Sequence, residues 1–135
     1  YNDFTLPREE TRKRMSLIKP GENWSSLPKE YWKPSYSLKR THSNTLRRLE
    51  LDKPSVTIAN FRKSNIIHPV YNRGISVAEA SAISGFDERF KFLGSLSERQ
   101  QQIANGVPFF MGVTVKNIVK EIFYKSIYGQ TICVL

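Results

Sequence analysis

The last third of the chain carries a stripe of hydrophobic residues at helical spacing. The apolar positions would form one face of a helix over about residues 107–124. They are Val107, Met111, Val115, Ile118, Val119 and Ile122. A shorter helix is predicted before it, ending near residue 104, because Ser97 and Gln100 have the spacing of a helix-capping pair.

Another capping pair lies further upstream. Ser76 is followed three residues later by Glu79, and this spacing lets each side chain bond the backbone N–H of the other residue. The pair predicts a helix over residues 77–84. Gly85 is placed to end it, because glycine readily takes the left-handed backbone conformation found at helix C-termini.

The first half of the chain has weaker patterns. Residues 5–19 are predicted to form a short helix, followed by a proline-rich loop with several aromatic residues over residues 21–45. Residues 46–51 and 55–60 are predicted to be short strands separated by a turn, and residues 66–67 a third. Helices together with short strands predict an α+β fold.

Charge is distributed unevenly along the chain. The formal net charge is +9, and residues 1–63 hold 14 Lys and Arg against 7 Asp and Glu. Residues 64–135 hold 7 against 5, so they are nearly neutral. A basic first half indicates an anionic partner such as DNA, while a solvated basic face that only aids solubility remains the alternative.

Composition argues against several other classes of protein. The chain lacks a run of about 18 apolar residues, so no membrane span is expected. Its single Cys cannot form an internal disulfide, and two His with one Cys are too few for a zinc site, so no metal is expected. Cys133 stands between Ile and Val and is interpreted as a small buried apolar residue.

Four short motifs follow one another in a defined order. Arg48-Leu49 precedes the segment from Lys53 to Ile58, which reads Lys-Pro-Ser-Val-Thr-Ile. Then come His68-Pro69, a longer motif over residues 73–95, and Gln-Ile-Ala-Asn-Gly-Val-Pro over residues 102–108. This series resembles the C-terminal part of DNA methyltransferases that modify carbon 5 of cytosine, over roughly residues 46–123. Residues 73–95 resemble the ninth family motif and residues 102–108 the tenth.

The resemblance implies a fold and a domain division. Residues 1–72 would be a basic target recognition region, and residues 73–135 the ninth and tenth motifs with the C-terminal helix. The α+β fold would combine a small recognition domain of short strands and loops with C-terminal helices. These helices would pack on a missing α/β domain that binds S-adenosylmethionine. Ala78 and Phe109 depart from the family pattern, where Arg and Pro are usual.

The resemblance also assigns residues to DNA. Thr57 matches a family threonine that holds the DNA backbone beside the flipped cytosine, although its β propensity alone could explain it. Arg47, Arg48, Arg62 and Lys63 are candidate DNA contacts on grounds of charge, and the sequence leaves open which arginine reads bases.

Other residues are assigned to the cofactor and to the scaffold. Asn105 matches a family residue near the methionine end of S-adenosylmethionine, with Gly106 and Val107 approaching through backbone and apolar contact. Capping of the last helix by Asn105 is a compatible alternative. Arg73 is implied to organise the recognition domain, and Glu79 has a sufficient role as the partner of the capping pair.

The catalytic motifs of the family do not occur in this sequence. It contains no Pro-Cys-Gln turn, no Glu-Asn-Val segment and no glycine-rich cofactor loop. We therefore expect a specificity-conferring fragment or subunit that has no catalytic residue of its own. It would act with double-stranded DNA and a catalytic N-terminal half, in the same polypeptide or a separate subunit. The expected location is the cytoplasm, on the nucleoid if the host is prokaryotic.

Two other functions remain open. A non-enzymatic DNA-binding module derived from such an enzyme would keep the recognition fold without the chemistry. A basic RNA-binding or structural protein would not need the ordered motifs.

Overall fold

The computed structural model describes residues 3–58 and 65–129. Four α-helices lie in these ranges: α1 (Glu9–Ser16), α2 (Val77–Ile83), α3 (Leu96–Asn105) and α4 (Phe109–Tyr128). Two single 3-10 turns, Trp24–Ser26 and Lys29–Tyr31, lie between α1 and α2. Arg62, Lys63 and Cys133 are outside the described residues, so the predictions made for them stay predictions.

The capping pair at Ser76 and Glu79 is present as predicted. The Ser76 side chain accepts from the backbone N–H of Glu79, and the Glu79 carboxylate accepts from the backbone N–H of Ser76. Helix α2 ends at Ile83, and Gly85 follows in the left-handed conformation with φ +71°. The prediction was accurate because every group involved is local in sequence.

The next capping pair was misassigned by two residues. Helix α3 is capped by Ser95 with Glu98, rather than by Ser97 with Gln100. A carboxylate at this position also interacts favourably with the positive end of the helix dipole, which an amide does not.

Helix α1 is shorter than predicted. It begins at Glu9, and the side chain of Arg8 before it makes no capping hydrogen bond.

The predicted strands are reduced to single bridges in the described part of the chain. Ile67 is at the centre, paired in parallel with Arg48 and antiparallel with Gly74. The Leu49 N–H donates to the Ile67 carbonyl, and the Ile67 N–H donates to the Arg47 carbonyl. Residues 55–58 join no ladder with other described residues. The α+β class therefore stays a prediction.

Two apolar clusters meet at this central segment. Ile66 and Ile67 are both fully buried and belong to different clusters, because successive side chains of an extended segment point to opposite sides. The Ile67 cluster holds α1 and the tryptophans: Met15, Ile18, Trp24, Leu27 and Leu46. The Ile66 cluster holds the helical half: Leu49, Ile75, Val77, Ala80, Phe92 and Ile103. The Ile66 cluster therefore contains residues from both predicted regions, 1–72 and 73–135.

Helix α4 differs from the rest of the fold. None of its side chains with a described exposure is buried. Near its start the Phe110 ring lies close to Gly85, where an added Cβ would be 3.2 Å from the ring. The helix predicted from the apolar stripe is therefore present. Its apolar side chains are not packed into a core formed by the described residues.

Candidate nucleic-acid interface and cofactor-side segment

Thr57 and Arg47 lie at the surface of the tryptophan-containing half. The Thr57 side chain is exposed, while its carbonyl accepts from Asn44 Nδ2 at 3.2 Å. Arg47 is half-buried, and its guanidinium makes no hydrogen bond or ion pair with any residue the structure describes. Both side chains are therefore placed where a phosphate oxygen could reach them.

Arg48 has a different environment from its neighbour. It is only 4% exposed, although isolated arginines are seldom buried. Its Nε donates to the Ile18 carbonyl at 2.7 Å, and its Nη2 donates to the Met15 carbonyl and to Asn72 Oδ1, both at 2.6 Å. Its Nη1 donates to the carbonyls of His68 at 2.8 Å and Tyr71 at 3.2 Å.

These five hydrogen bonds occupy the full donor capacity of the Arg48 guanidinium. All five acceptors are uncharged, so the cation is held by carbonyl dipoles rather than by a carboxylate. Burial lowers the pKa of Arg48 below its ordinary value, which is high enough that the group stays charged. Arg48 therefore joins α1 to the 68–72 turn, and we remove it from the set of DNA-contacting candidates.

Arg73 and Glu79 form a bidentate pair. Arg73 Nη1 donates to Glu79 Oε2 at 2.8 Å, and Nη2 donates to Oε1 at 2.7 Å. The guanidinium also lies over the Phe4 ring, 4.6 Å from its centroid. The hydrogen bonds from Arg73 are the largest cause that lowers the pKa of Glu79 to about 2. The pair therefore ties the N-terminal segment to the start of α2, and the organising role implied for Arg73 stays a prediction.

His68 lies beside this pair in a defined tautomer. Its Nδ1 accepts the backbone N–H groups of Val70 at 3.0 Å and Tyr71 at 3.1 Å, which assigns the ring proton to Nε2. Nε2 is 3.7 Å from Glu79 Oε1. Burial lowers the pKa of His68, and Glu79 partly opposes this. The neutral ring therefore shapes the turn whose carbonyls hold Arg48.

Asn105, Gly106 and Val107 form the junction between α3 and α4. Asn105 is the last residue of α3, and its Oδ1 accepts from Gln101 Nε2 at 2.8 Å. The N-cap of α4 is Pro108, so the prediction that Asn105 could cap this helix is wrong. The Asn105 side chain is exposed and Val107 is 64% exposed, so both are accessible to a ligand.

Cations outnumber carboxylates in the middle of the first half. Residues 31–49 contain five Lys and Arg and no Asp or Glu. One of the five is the buried Arg48, and the others are Lys33, Lys39, Arg40 and Arg47. By contrast, Arg14 in α1 pairs with Glu10. A basic surface without internal counter-charges can neutralise phosphates at little cost.

Comparison with known proteins identifies the family. The family model described as C-5 cytosine-specific DNA methylase matches residues 1–123 of this chain. The chain belongs to the C-5 cytosine-specific DNA methylase family.

Individual members of the C-5 cytosine-specific DNA methylase family show the same relationship. Type II methyltransferase M.Eco47II of Escherichia coli is 31% identical over 119 residues, which are 80% of this chain and 28% of that protein. Type II methyltransferase M.PspPI of Psychrobacter sp. is 30% identical over 108 residues, 75% of this chain and 26% of that protein. A putative type II methyltransferase of Oceanobacillus iheyensis, M.OihORF3336P, is 32% identical over 121 residues, 87% of this chain and 26% of that protein. The chain therefore spans about a quarter of the length of the curated relatives it matches.

Membership in this methylase family connects the chain with DNA methylation and restriction-modification.

In the described ranges, no three His, Cys, Asp or Glu side chains gather in a way that could hold a metal ion. No helix that the structure describes has the length and apolar character needed to cross a membrane.

Three features of this methylase chain were missed by sequence reasoning. The buried role of Arg48 had no local signal, because its acceptors are 20 to 33 residues away in sequence. The bond from Asn44 to Thr57 likewise joins residues 13 apart. The capping pair at Ser95 and Glu98 was missed although its Ser-x-x-Glu spacing is visible in the sequence.

Proposed function

We propose that this chain is the C-terminal, specificity-conferring part of a DNA cytosine-5 methyltransferase. The complete enzyme would transfer a methyl group from S-adenosylmethionine to carbon 5 of cytosine, with a catalytic N-terminal half supplying the nucleophile. Family membership supports the reaction class. The proposal that another part of the enzyme carries the catalytic residues is supported by the absence of the family's catalytic motifs from this sequence. The protein would act where cellular DNA lies, in the cytoplasm and on the nucleoid of a prokaryote.

The exposed helix α4 is the observation that carries this proposal. It is 20 residues long, and its large apolar side chains include Phe110, 73% exposed, and Phe123, 65% exposed. Helices in proteins owe most of their stability to packing of an apolar face, and large exposed apolar patches indicate an interaction site. We propose that the chain is an α+β recognition domain whose C-terminal helix α4 packs on the α/β domain of the catalytic half.

The α3–α4 junction suits one end of the methyl donor. Because Asn105 Oδ1 already accepts from Gln101, the amide Nδ2 is available to donate to a carboxylate. Gly106 offers backbone without a side chain, and Val107 offers an exposed apolar surface. When bound, S-adenosylmethionine would supply the methyl group. These three residues would hold and orient it, while most of its site would belong to the catalytic half.

DNA would bind on the basic surface of residues 31–49 and beside Thr57. Thr57 Oγ1 can donate to a phosphate oxygen, and Arg47 can do so with a charge-assisted bond. Arg62 and Lys63 follow Thr57 closely in sequence and are proposed to contribute to the same surface.

Reconstitution tests this proposal directly. The chain is incubated with duplex DNA and radiolabelled S-adenosylmethionine, with and without a catalytic N-terminal half. Methyl transfer to DNA is expected only when both are present. Methylation by the chain alone would contradict the division of labour. Salt-dependent DNA binding with no methylation in any combination would favour the non-enzymatic binding module instead.

A further inference from the structure

A short turn over residues 37–41 projects two cations from the basic surface. The Ser37 N–H donates to Thr41 Oγ1 at 2.8 Å, and the Thr41 N–H donates to the Ser37 carbonyl at 2.8 Å. The Arg40 N–H also donates to the Ser37 carbonyl, at 3.0 Å. These hydrogen bonds join Ser37, at the start of the turn, to Arg40 and Thr41 at its end. The side chains of Lys39 and Arg40 are exposed at its tip.

The turn is fixed to the core on its N-terminal side. Tyr36, directly before it, packs on the buried Trp24 with ring centroids 5.1 Å apart. Trp32 also packs on Trp24, with ring centroids 4.9 Å apart, and its Nε1 donates to the Leu27 carbonyl. The start of the turn therefore cannot move independently of the tryptophan cluster.

The C-terminal side is fixed by hydrogen bonds. Asn23 Nδ2 donates to the Ser43 carbonyl at 2.8 Å, and the Trp24 N–H donates to the Thr45 carbonyl at 3.2 Å. Leu46 follows, 2% exposed, in the buried cluster. A turn held at both ends loses little conformational freedom when it binds, which favours affinity and specificity.

The tip lies within reach of the proposed target base. Asn44 bonds the backbone of Thr57, which we have placed against the DNA. Arg40 lies four positions before Asn44, a span of at most about 14 Å. That distance corresponds to about four base steps of ~3.4 Å along one DNA strand. A side chain at the tip can therefore meet bases within a short recognition site.

The two cations have no competing partners. Neither Lys39 nor Arg40 forms an ion pair or side-chain hydrogen bond with any residue in 3–58 or 65–129. Arginine has a planar fork of donors that matches the two acceptors of a guanine edge, whereas lysine acts as a point charge on phosphate. The two residues are therefore suited to different tasks on the same DNA.

We propose that the 37–41 turn enters a groove of the target DNA, where Arg40 reads a base edge and Lys39 binds the backbone. This inference rests on the proposed function and names specificity-determining residues within it. Arg40 would set the preferred base at one position of the recognition sequence. Lys39 would strengthen binding to every sequence alike.

The test uses the chain together with its catalytic half, because methylation records which sequences were recognised. A duplex library with randomised bases around each cytosine is methylated, and bisulfite sequencing gives the base preference at each position. Arg40→Ala is expected to reduce the preference at one position by about 5- to 150-fold. Arg40→Lys should show the same loss, because it keeps the charge and removes the fork.

Lys39→Ala should instead leave the preference profile unchanged. It should weaken binding to all duplexes and reduce the slope of log affinity against log salt by about 0.9. Arg89→Ala is the matched control, because Arg89 is an arginine whose side chain is 86% exposed and pairs with Asp87 in the segment between α2 and α3. It should change neither the profile nor the slope.

The possible failures are distinguishable. An unchanged base profile for Arg40→Ala, with methylation slowed equally at all sites, would overturn base reading by Arg40 and leave the proposed function standing. Equal melting temperatures of the variants exclude misfolding as the cause. If the unsubstituted protein neither methylates nor binds any duplex, even with the catalytic half, the proposed function fails, and this inference fails with it.

Discussion

Phe86 and Gly106 lie so close together that a side chain at position 106 would displace the Phe86 ring. A Cβ added to Gly106 would lie 2.6 Å from the Phe86 ring carbon Cζ and 3.3 Å from the Ile103 carbonyl oxygen. The backbone of Gly106 has φ −74°, an ordinary value for any residue. Glycine is therefore required here by space and not by backbone conformation.

We expect Gly106→Ala to lower the free energy of unfolding by about 1–3 kcal/mol, because Phe86 is packed against Phe92 and cannot move freely. Gly112→Ala is the matched control. Gly112 lies inside α4 with nothing within 4 Å of an added Cβ, so alanine should stabilise that helix by up to about 1 kcal/mol. Urea denaturation of both variants measures the difference. Equal stability of the two would show that the Phe86 contact is not formed.

Substitution should cost much more stability at Arg48 than at Arg47. Arg48→Lys should lower the free energy of unfolding by about 3 kcal/mol or more, because three ammonium donors cannot serve five acceptors in this geometry. Arg47→Lys should change stability by less than about 0.5 kcal/mol, as for an ordinary surface substitution. Thermal denaturation measures both. A mild effect at Arg48 would contradict its buried role and return it to the DNA-contacting candidates.

The Arg73–Glu79 pair predicts loss of stability in acid. The pKa of Glu79 is about 2 in the folded protein, below the model-compound value of 4.5, so the unfolded chain takes up the proton first as the pH falls. The stability from this pair is complete above about pH 4.5 and is lost as the pH falls towards 2. Because Glu79 is partly exposed, we expect its size to be on the order of 1 kcal/mol.

Glu79→Gln isolates this contribution. Glutamine can still bond the Ser76 N–H in the capping pair, but it does not titrate. Denaturation at pH 5 and pH 2.5 should show a smaller drop for Glu79→Gln than for the unsubstituted chain. Identical drops would mean that Arg73 does not hold the carboxylate in its charged form.

Asn105→Ala should weaken methyl-donor binding in the reconstituted enzyme and leave DNA binding nearly intact. Losing one contact to the amino-acid end of the donor costs about 1–3 kcal/mol, roughly five- to a hundred-fold in affinity. Since Asn105 does not cap α4, the melting temperature should change little; only an exposed bond with Gln101 is lost. Calorimetry gives the donor Kd and the melting temperature of the same variant. Unchanged donor affinity would remove Asn105 from the cofactor site.

Without its catalytic half, the chain should self-associate through α4 at high concentration. Ile118 is 50% exposed and Ile122 is 62% exposed on this helix. Ile118→Lys should reduce association, whereas Asn117→Lys, which adds the same charge at a neighbouring polar position, should have a weaker effect. Sedimentation velocity over a concentration series measures this. A clean monomer of the unsubstituted chain at all concentrations would argue that α4 folds back on the recognition region.

The order of the motifs, the helices and the capping pair at Ser76 and Glu79 could be read from the sequence alone. Each helix and the capping pair depend on residues within a few positions of one another, so local hydrogen bonding and helical periodicity are sufficient to predict them. The strands were predicted less well, because a segment becomes a strand only when a distant partner supplies the other side of the ladder. Among the residues that the structure describes, Ile67 finds partners for single bridges and no more.

Only the tertiary structure separated Arg47 from Arg48. The two are identical in type and adjacent in sequence, yet Arg47 is half-buried with a guanidinium that bonds no described residue, and Arg48 is surrounded by carbonyls from Met15, Ile18 and the 68–72 turn. Likewise, the stripe along α4 predicted a helix but not its exposure, because burial depends on what the rest of the fold can place against it. Local physics determined where the helices form; long-range contacts decided which side chains are free to meet DNA, a cofactor or another domain.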